Sequence, residues 1–148
     1  MVKKELPTLN ENYALFLAEV KNRIRDSQYA ALRAVNKELI DLYWDIGKKI
    51  VEMQEKFGWG KAIVENLAKD LQKAYPGISG FSSRNLWNMR NFCVLYKGNT
   101  KLQPMVAEIS WTKNLAIMEK CKDNLEKEFY LRMTIKFGWT KNVLIHHI

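Results

Sequence analysis

The stretch on which the fold turns is residues 32–57, LRAVNKELIDLYWDIGKKIVEMQEKF. Within it Leu32, Val35, Leu39, Leu42, Ile46, Ile50, Met53 and Phe57 recur at steps of three and four, the spacing that gathers side chains on one face of an α-helix. Sustained over about seven turns, the pattern predicts one long central helix. A second line, Ile40, Tyr43, Trp44, Gly47 and Val51, widens the apolar surface, so a single neighbour cannot cover it. The cover must come from later helices of the chain or from a second copy.

Toward the N-terminus, Tyr13, Phe16, Leu17, Val20 and Ile24 have amphipathic helical spacing, and Asp26 or Ser27 is placed to close that helix or cap the next. A short first helix is expected. Toward the C-terminus, Gly58 supplies the left-handed stop of the central helix, and Trp59-Gly60 leads into a third helix over residues 61–74 that buries Ile63, Leu67 and Leu71. Pro76-Gly77 breaks it. Ser82 then caps a fourth helix, from Ser83 to about Lys97, which Gly98-Asn99 ends. Pro104 is expected to keep the next link non-helical. Ser110 caps a fifth helix with Trp111, Leu115 and Met118 inward, and Asp123 or Asn124 starts a sixth with Leu125, Phe129 and Met133 inward.

No stretch alternates as a strand would, so the expected fold class is all-α: a multi-helix domain with one long central helix and a helix-turn-helix-like pair. The corner Lys56-Phe57-Gly58-Trp59-Gly60-Lys61 returns as Lys136-Phe137-Gly138-Trp139-Thr140-Lys141, each reading as helix, glycine stop, buried tryptophan, helix start. One such pair is too little for a duplicated domain. Val143-Leu144-Ile145 is still helical in pattern near the end at Ile148, which predicts that the natural protein continues.

At 148 residues the chain is expected to be one domain, ordered from about residue 10 to 148. No charged-then-apolar leader is visible, and no apolar run approaches the ~20 residues of a membrane helix. A cytoplasmic protein without membrane contact is expected. Cys93 and Cys121 sit in apolar helical patterns, where a thiol acts as a small hydrophobe. The net charge is +8, and it is uneven: residues 1–60 carry ten basic and nine acidic side chains, residues 61–148 fourteen and seven.

The imbalance peaks between residues 71 and 107, where there is no aspartate or glutamate but Lys73, Arg84, Arg90, Lys97 and Lys101 are present. On the fourth helix Leu86, Met89, Phe92, Cys93 and Tyr96 share one side, while Arg84, Asn88 and Asn91 lie on the other with Trp87 at the border. A solvated face normally mixes charge signs, so this one predicts a polyanionic partner. The third and fourth helices read as a helix-turn-helix pair, although the connection 75–82 is longer than the usual turn. Arg84, Asn85, Asn88 and Asn91 are the candidates for base or groove contact. Lys73, Arg90, Lys97 and Lys101 are the candidates for phosphate, Ser82 belongs to the same edge, and Trp87 is either packed or stacked on a base.

Catalysis is poorly supplied. His146 and His147 are adjacent, so a regular helix cannot turn both toward one metal, and no glycine-rich phosphate cradle or nucleophile elbow is present. Glu65, Asp70 and Glu108 are scattered. The chain by itself is not expected to be an enzyme, and no cofactor is expected.

Together, Tyr43-Trp44-Asp45-Ile46-Gly47, Phe57-Gly58-Trp59-Gly60-Lys61, Leu67-Ala68-Lys69-Asp70-Leu71, Tyr75-Pro76-Gly77 with Gly80-Phe81-Ser82, Asn85-Leu86, Met89-Arg90, Phe92 and Gly138-Trp139-Thr140-Lys141-Asn142-Val143-Leu144 resemble the helical N-terminal domain of bacterial YhcG-type proteins. The resemblance runs from about Tyr13 to the end. It implies a DNA-binding domain that stands before a metal-dependent nuclease domain of the PD-(D/E)xK class, whose acidic set has no counterpart in this chain. Relatives tend to show histidine and asparagine two and three residues after a tryptophan, where this chain has Trp111-Thr112-Lys113-Asn114. No role of that histidine carries over, and Lys113 would contact a phosphate instead. The expected partners are nucleic acid, above all duplex DNA, and a C-terminal nuclease domain of the same protein. The alternative is a protein-interaction or dimerisation module whose two apolar stripes pair copies of the chain.

Overall fold

The computed structural model describes residues 9–148 apart from Trp59, with side chains from Glu11 onward. Among these residues there are helices and no strands, as the periodicity predicts: α1 (Leu9–Phe57), α2 (Lys61–Ala74), α3 (Ser83–Tyr96), α4 (Gln103–Val106), α5 (Trp111–Lys120), α6 (Asn124–Phe137) and α7 (Lys141–His147). The chain divides into two units, residues 1–35 and 36–148.

In the first unit the described residues all belong to α1. The expected break at Asp26 or Ser27 does not occur, and the helix runs unbroken for 49 residues. Between residues 9 and 46 there is no glycine or proline, and an exposed aspartate or serine costs a helix interior only about 0.5 kcal/mol. From residue 11 to residue 35 every side chain is exposed except that of Leu17, which is half-buried.

The second unit holds the core. The face of α3 predicted to be apolar is buried without exception, Leu86, Met89, Phe92, Cys93 and Tyr96 being at most 1% exposed. From α1 it receives Ile40, Tyr43, Ile50 and Val51, from α2 Val64 and Ala68, and from the later helices Trp111, Ile117, Leu131 and Leu144. Phe92 is the hub of the aromatic packing, edge-on to Trp44, Trp111 and Tyr96 at 5.6, 5.1 and 5.4 Å between ring centroids. This is the geometry that ring quadrupoles favour. Gly47 lies where α1 meets α3: a Cβ there would collide with the backbone carbonyl of Met89. The missing side chain is what lets the two backbones approach so closely.

Several local expectations hold. Ser82, Ser110 and Asp123 cap α3, α5 and α6 by accepting hydrogen bonds from the backbone N–H of Asn85, Lys113 and Glu126. Gly58 and Gly138 share the left-handed conformation, at φ 63° and 61°, so both corners stop their helices in the same way. Of the two tryptophans expected to be buried there, Trp59 lies outside the described residues. Trp139 is half-buried, its ring stacked 4.4 Å from that of His147.

Others are corrected. Pro104 does not keep its segment non-helical but sits in the first turn of the short helix α4, where a missing N–H costs nothing. On α6 the buried face is Lys127, Leu131 and Thr134, while Leu125 is 79% and Phe129 50% exposed. The i, i+4, i+7 line through Lys127 was hidden by its charge: a lysine can bury its aliphatic stem and keep the ammonium near water. Leu115 and Met118 of α5 are half-buried, and it is Asn114, Ala116 and Ile117 that join Trp111 inside. No helix among the described residues is long and apolar enough to cross a membrane.

Candidate nucleic-acid interface

The polar edge of α3 owes its position to a hydrogen-bonded hub at Asn85. Its side-chain amide donates to the Gly80 carbonyl at 2.7 Å, and its side-chain carbonyl accepts from the indole N–H of Trp111 at 2.8 Å. The same side chain is hydrogen-bonded to Tyr43, whose hydroxyl pKa is pushed up by burial and held back in part by that bond. Asn85 therefore ties α1, the 75–82 connection, α3 and α5 together. Gly80 (φ 103°) faces the Tyr43 hydroxyl so closely that a Cβ would collide with it. Across the connection, the Gln72 amide donates to the Phe81 carbonyl at 3.0 Å, tying α2 to the start of α3.

Two further asparagines hold the segment before α5. The Asn114 amide donates to the Val106 carbonyl at 2.8 Å and lies within reach of those of Ile109 and Ser110, and the Asn36 amide donates to the carbonyls of Ala107 and Ile109. A chain leaving a short helix exposes carbonyls that must be satisfied if they are buried. The two amides do this and so set where α5 begins.

With α5 and α7 in place, the exposed side of α3 becomes one wall of a groove of about 990 Å³. Arg84, Asn88 and Asn91 line it from α3, with Ser82 at the α3 N-terminus, Thr112, Leu115 and Lys120 from α5, and Lys141 and Ile145 from α7. Arg84, Lys120 and Lys141 bring three positive charges against the one carboxylate of Glu119. Among the described residues, none of these three cations has a carboxylate within ion-pair distance.

The predicted set is thus partly gathered and partly dispersed. Arg84, Asn88 and Asn91 share the groove with Ser82, whose hydroxyl is engaged as the helix cap. Asn85 also borders it, but its amide and carbonyl are both committed inside the fold, a positioning role in place of the predicted free contact. Arg90 turns away toward α1: its Nε donates to Gln54 at 2.5 Å and its guanidinium lies 5.6 Å from the centre of the Trp87 ring. Its Nη1 also donates to the Asn91 side chain at 3.2 Å. Trp87 is half-buried, packed on the core and covered by that guanidinium. Lys101 is bound to Glu128 at 2.6 Å, and its charge holds the Glu128 carboxyl below the usual carboxylate range with help from Arg132. Lys73 and Lys97 are exposed and Lys113 is half-buried, and none of the three lines the groove.

Sequence reasoning missed Lys120 and Lys141. Neither lies in the acid-free stretch, and only the packing of α5 and α7 beside α3 brings them in. The repeated corner around Gly138 predicts only a structural turn, whereas the lysine that follows it faces the groove. Cys93 and Cys121 are buried, and burial pushes both thiols up, away from the reactive thiolate. Among the described residues no three His, Cys, Asp or Glu side chains gather as metal ligands would.

Residues 19–148 match the family model of the DUF1016 N-terminal domain. The chain is also similar to the Escherichia coli (strain K12) protein named "Putative nuclease YhcG", 31% identical over 83 residues that make up 53% of this chain and 22% of that protein. It thus aligns with less than a quarter of that relative's length. No solved structure matches the chain. Since the family model spans α2 to α7 and most of α1, every helix that builds the groove falls within it, and the chain belongs to the DUF1016 N-terminal domain family.

Proposed function

We propose that this domain engages nucleic acid, with duplex DNA the expected partner, as the DNA-binding part of a nuclease. The observation that carries the reading is the convergence of Arg84, Lys120 and Lys141, from three different helices, on one groove without ion-pair partners among the described residues. Such cations exchange their small counterions for phosphates, and the released ions favour binding through entropy. Asn88 and Asn91, beside them, carry both donors and acceptors and suit sugar, phosphate or base edges. The dipole of α3, whose first turn carries Arg84, adds attraction for an anion at the Ser82 end.

The name of the Escherichia coli relative supports the same class of substrate. Hydrolysis is not assigned to this domain: a PD-(D/E)xK site needs carboxylates around a divalent metal, and that chemistry belongs to the nuclease domain expected in a longer relative. A domain of this kind works in the cytoplasm, where the DNA is.

The test is a salt titration of binding to duplex and single-stranded probes. Arg84→Ala, Lys120→Ala and Lys141→Ala should each weaken binding and lower the slope of log K against log salt by about one phosphate contact. Lys101→Ala, already neutralised by Glu128, should change the slope least. If the three groove variants bind with the parent's affinity and slope, the groove is not the interface.

A further inference from the structure

The second unit has another groove, and its chemistry is the opposite. About 750 Å³ in volume, it runs between the second half of α1, α2 and the 75–82 connection, and its lining is almost wholly apolar: Leu42, Ile46, Met53, Leu67, Leu71 and Ile78 among others. Charge is confined to Lys49 and Asp70. Leu42 is 46% and Ile78 55% exposed, which is a costly way to leave large aliphatic side chains unless something covers them.

The first unit presents the complementary problem. Its helix carries Tyr13, Phe16, Val20 and Ile24 at amphipathic spacing, 56%, 60%, 37% and 51% exposed. A single amphipathic helix has no core of its own, and its stability ordinarily comes from packing that face on a partner.

We propose that the segment 13–24 of one copy of this chain docks in the apolar groove of a second copy, and that the exchange is mutual. Length supports it: Tyr13 to Ile24 is 11 residues along a helix, and so is Leu42 to Met53, the α1 wall of the groove. Each is about 16 Å. Area supports it too. Half-exposed large apolar side chains offer roughly 100 Å² apiece, so the four on the segment hide about 400 Å² per contact, and the more enclosed groove adds a smaller share. Made twice in a symmetric pair, this passes the ~1,200 Å² at which specific stable interfaces begin. A helix laid apolar face down in a groove is a recurrent mode of protein recognition. The nucleic-acid groove shares no lining residue with this one, so the two readings stand or fall separately.

Sedimentation equilibrium of the whole chain at micromolar concentration should give the mass of two copies. Phe16→Glu and Ile78→Glu alter opposite sides of the contact at exposed positions, so both variants should keep the parent's helical circular dichroism and sediment as single copies. Mixed together, they should recover a pair, because the Phe16→Glu copy still has an intact groove and the Ile78→Glu copy an intact segment. A parent that sediments as one copy overturns the proposal. So does an Ile78→Glu variant that still pairs, because helix-to-helix pairing of the segments would not involve the 75–82 connection.

Discussion

The two apolar lines of α1 part company in the middle of the helix. Ile40, Tyr43, Gly47 and Val51 of one are buried, whereas Leu32, Val35, Leu39 and Leu42 of the other are 65%, 66%, 37% and 46% exposed, and that line turns inward only further on, at Ile50. Hydrophobicity does not separate them, since the exposed line is if anything the more aliphatic. Shape does: Gly47 opens a notch that admits the Met89 backbone of α3, and Tyr43 meets the Trp111 ring edge-on at 4.9 Å. A helix face is buried where a neighbour can come close enough for dispersion contacts and expulsion of water, and a smooth row of leucines gives no such entry by itself.

The comparison can be broken most forcefully from the α3 side. Phe92→Ala removes the ring shared by three aromatic contacts and should cost about 4 kcal/mol in urea denaturation. Leu32→Ala, on the exposed line, should stay within about 0.5 kcal/mol in the same experiment. Equal losses would mean that the two sides of α1 are not as different as described. Next comes the notch itself: Gly47→Ala should lower stability by about 3 kcal/mol through backbone displacement, even though alanine is the better helix former. A more stable variant would show that α1 and α3 do not touch there.

A smaller effect separates structural from functional asparagines. Asn85→Ala strands the Trp111 N–H and the Gly80 carbonyl and should cost about 2 kcal/mol, read by thermal denaturation. Asn88→Ala should leave stability nearly unchanged and weaken nucleic-acid binding. The smallest effect concerns pH. Because Lys101 and then Arg132 depress the Glu128 pKa in the folded state, the contribution of this carboxyl is present above its unfolded value of 4.5 and lost as pH falls through the lower folded one. Lys101→Ala should therefore flatten stability against pH at the acid end only, and leave it unaltered near neutrality in its pH dependence.

The buried face of α3 was legible residue by residue because every apolar position on it has the same cause, a helical period with one dry side. The caps at Ser82, Ser110 and Asp123 were legible for a similar reason: a cap is a local bond, made within three residues. Half of the candidate site was not. Arg90 and Lys101 look as available as Arg84 along the chain, but Gln54 and Glu128, distant in sequence, claim them. Lys120 and Lys141 show no signal at all until α5 and α7 pack beside α3. The face of α6 was misread because a lysine can lie along a core by its stem.

By itself the sequence determined what local physics decides: the α-helical class, the glycine stops, the capped helix starts, and the core side of α3. These depend on backbone sterics and on side chains within a turn of one another. The tertiary structure alone decided which parts of the two α1 stripes are covered, which cations are neutralised, and which helices wall the groove. Those outcomes depend on the distance between elements far apart in the chain, and both packing and ion pairing fall away within a few ångströms of contact.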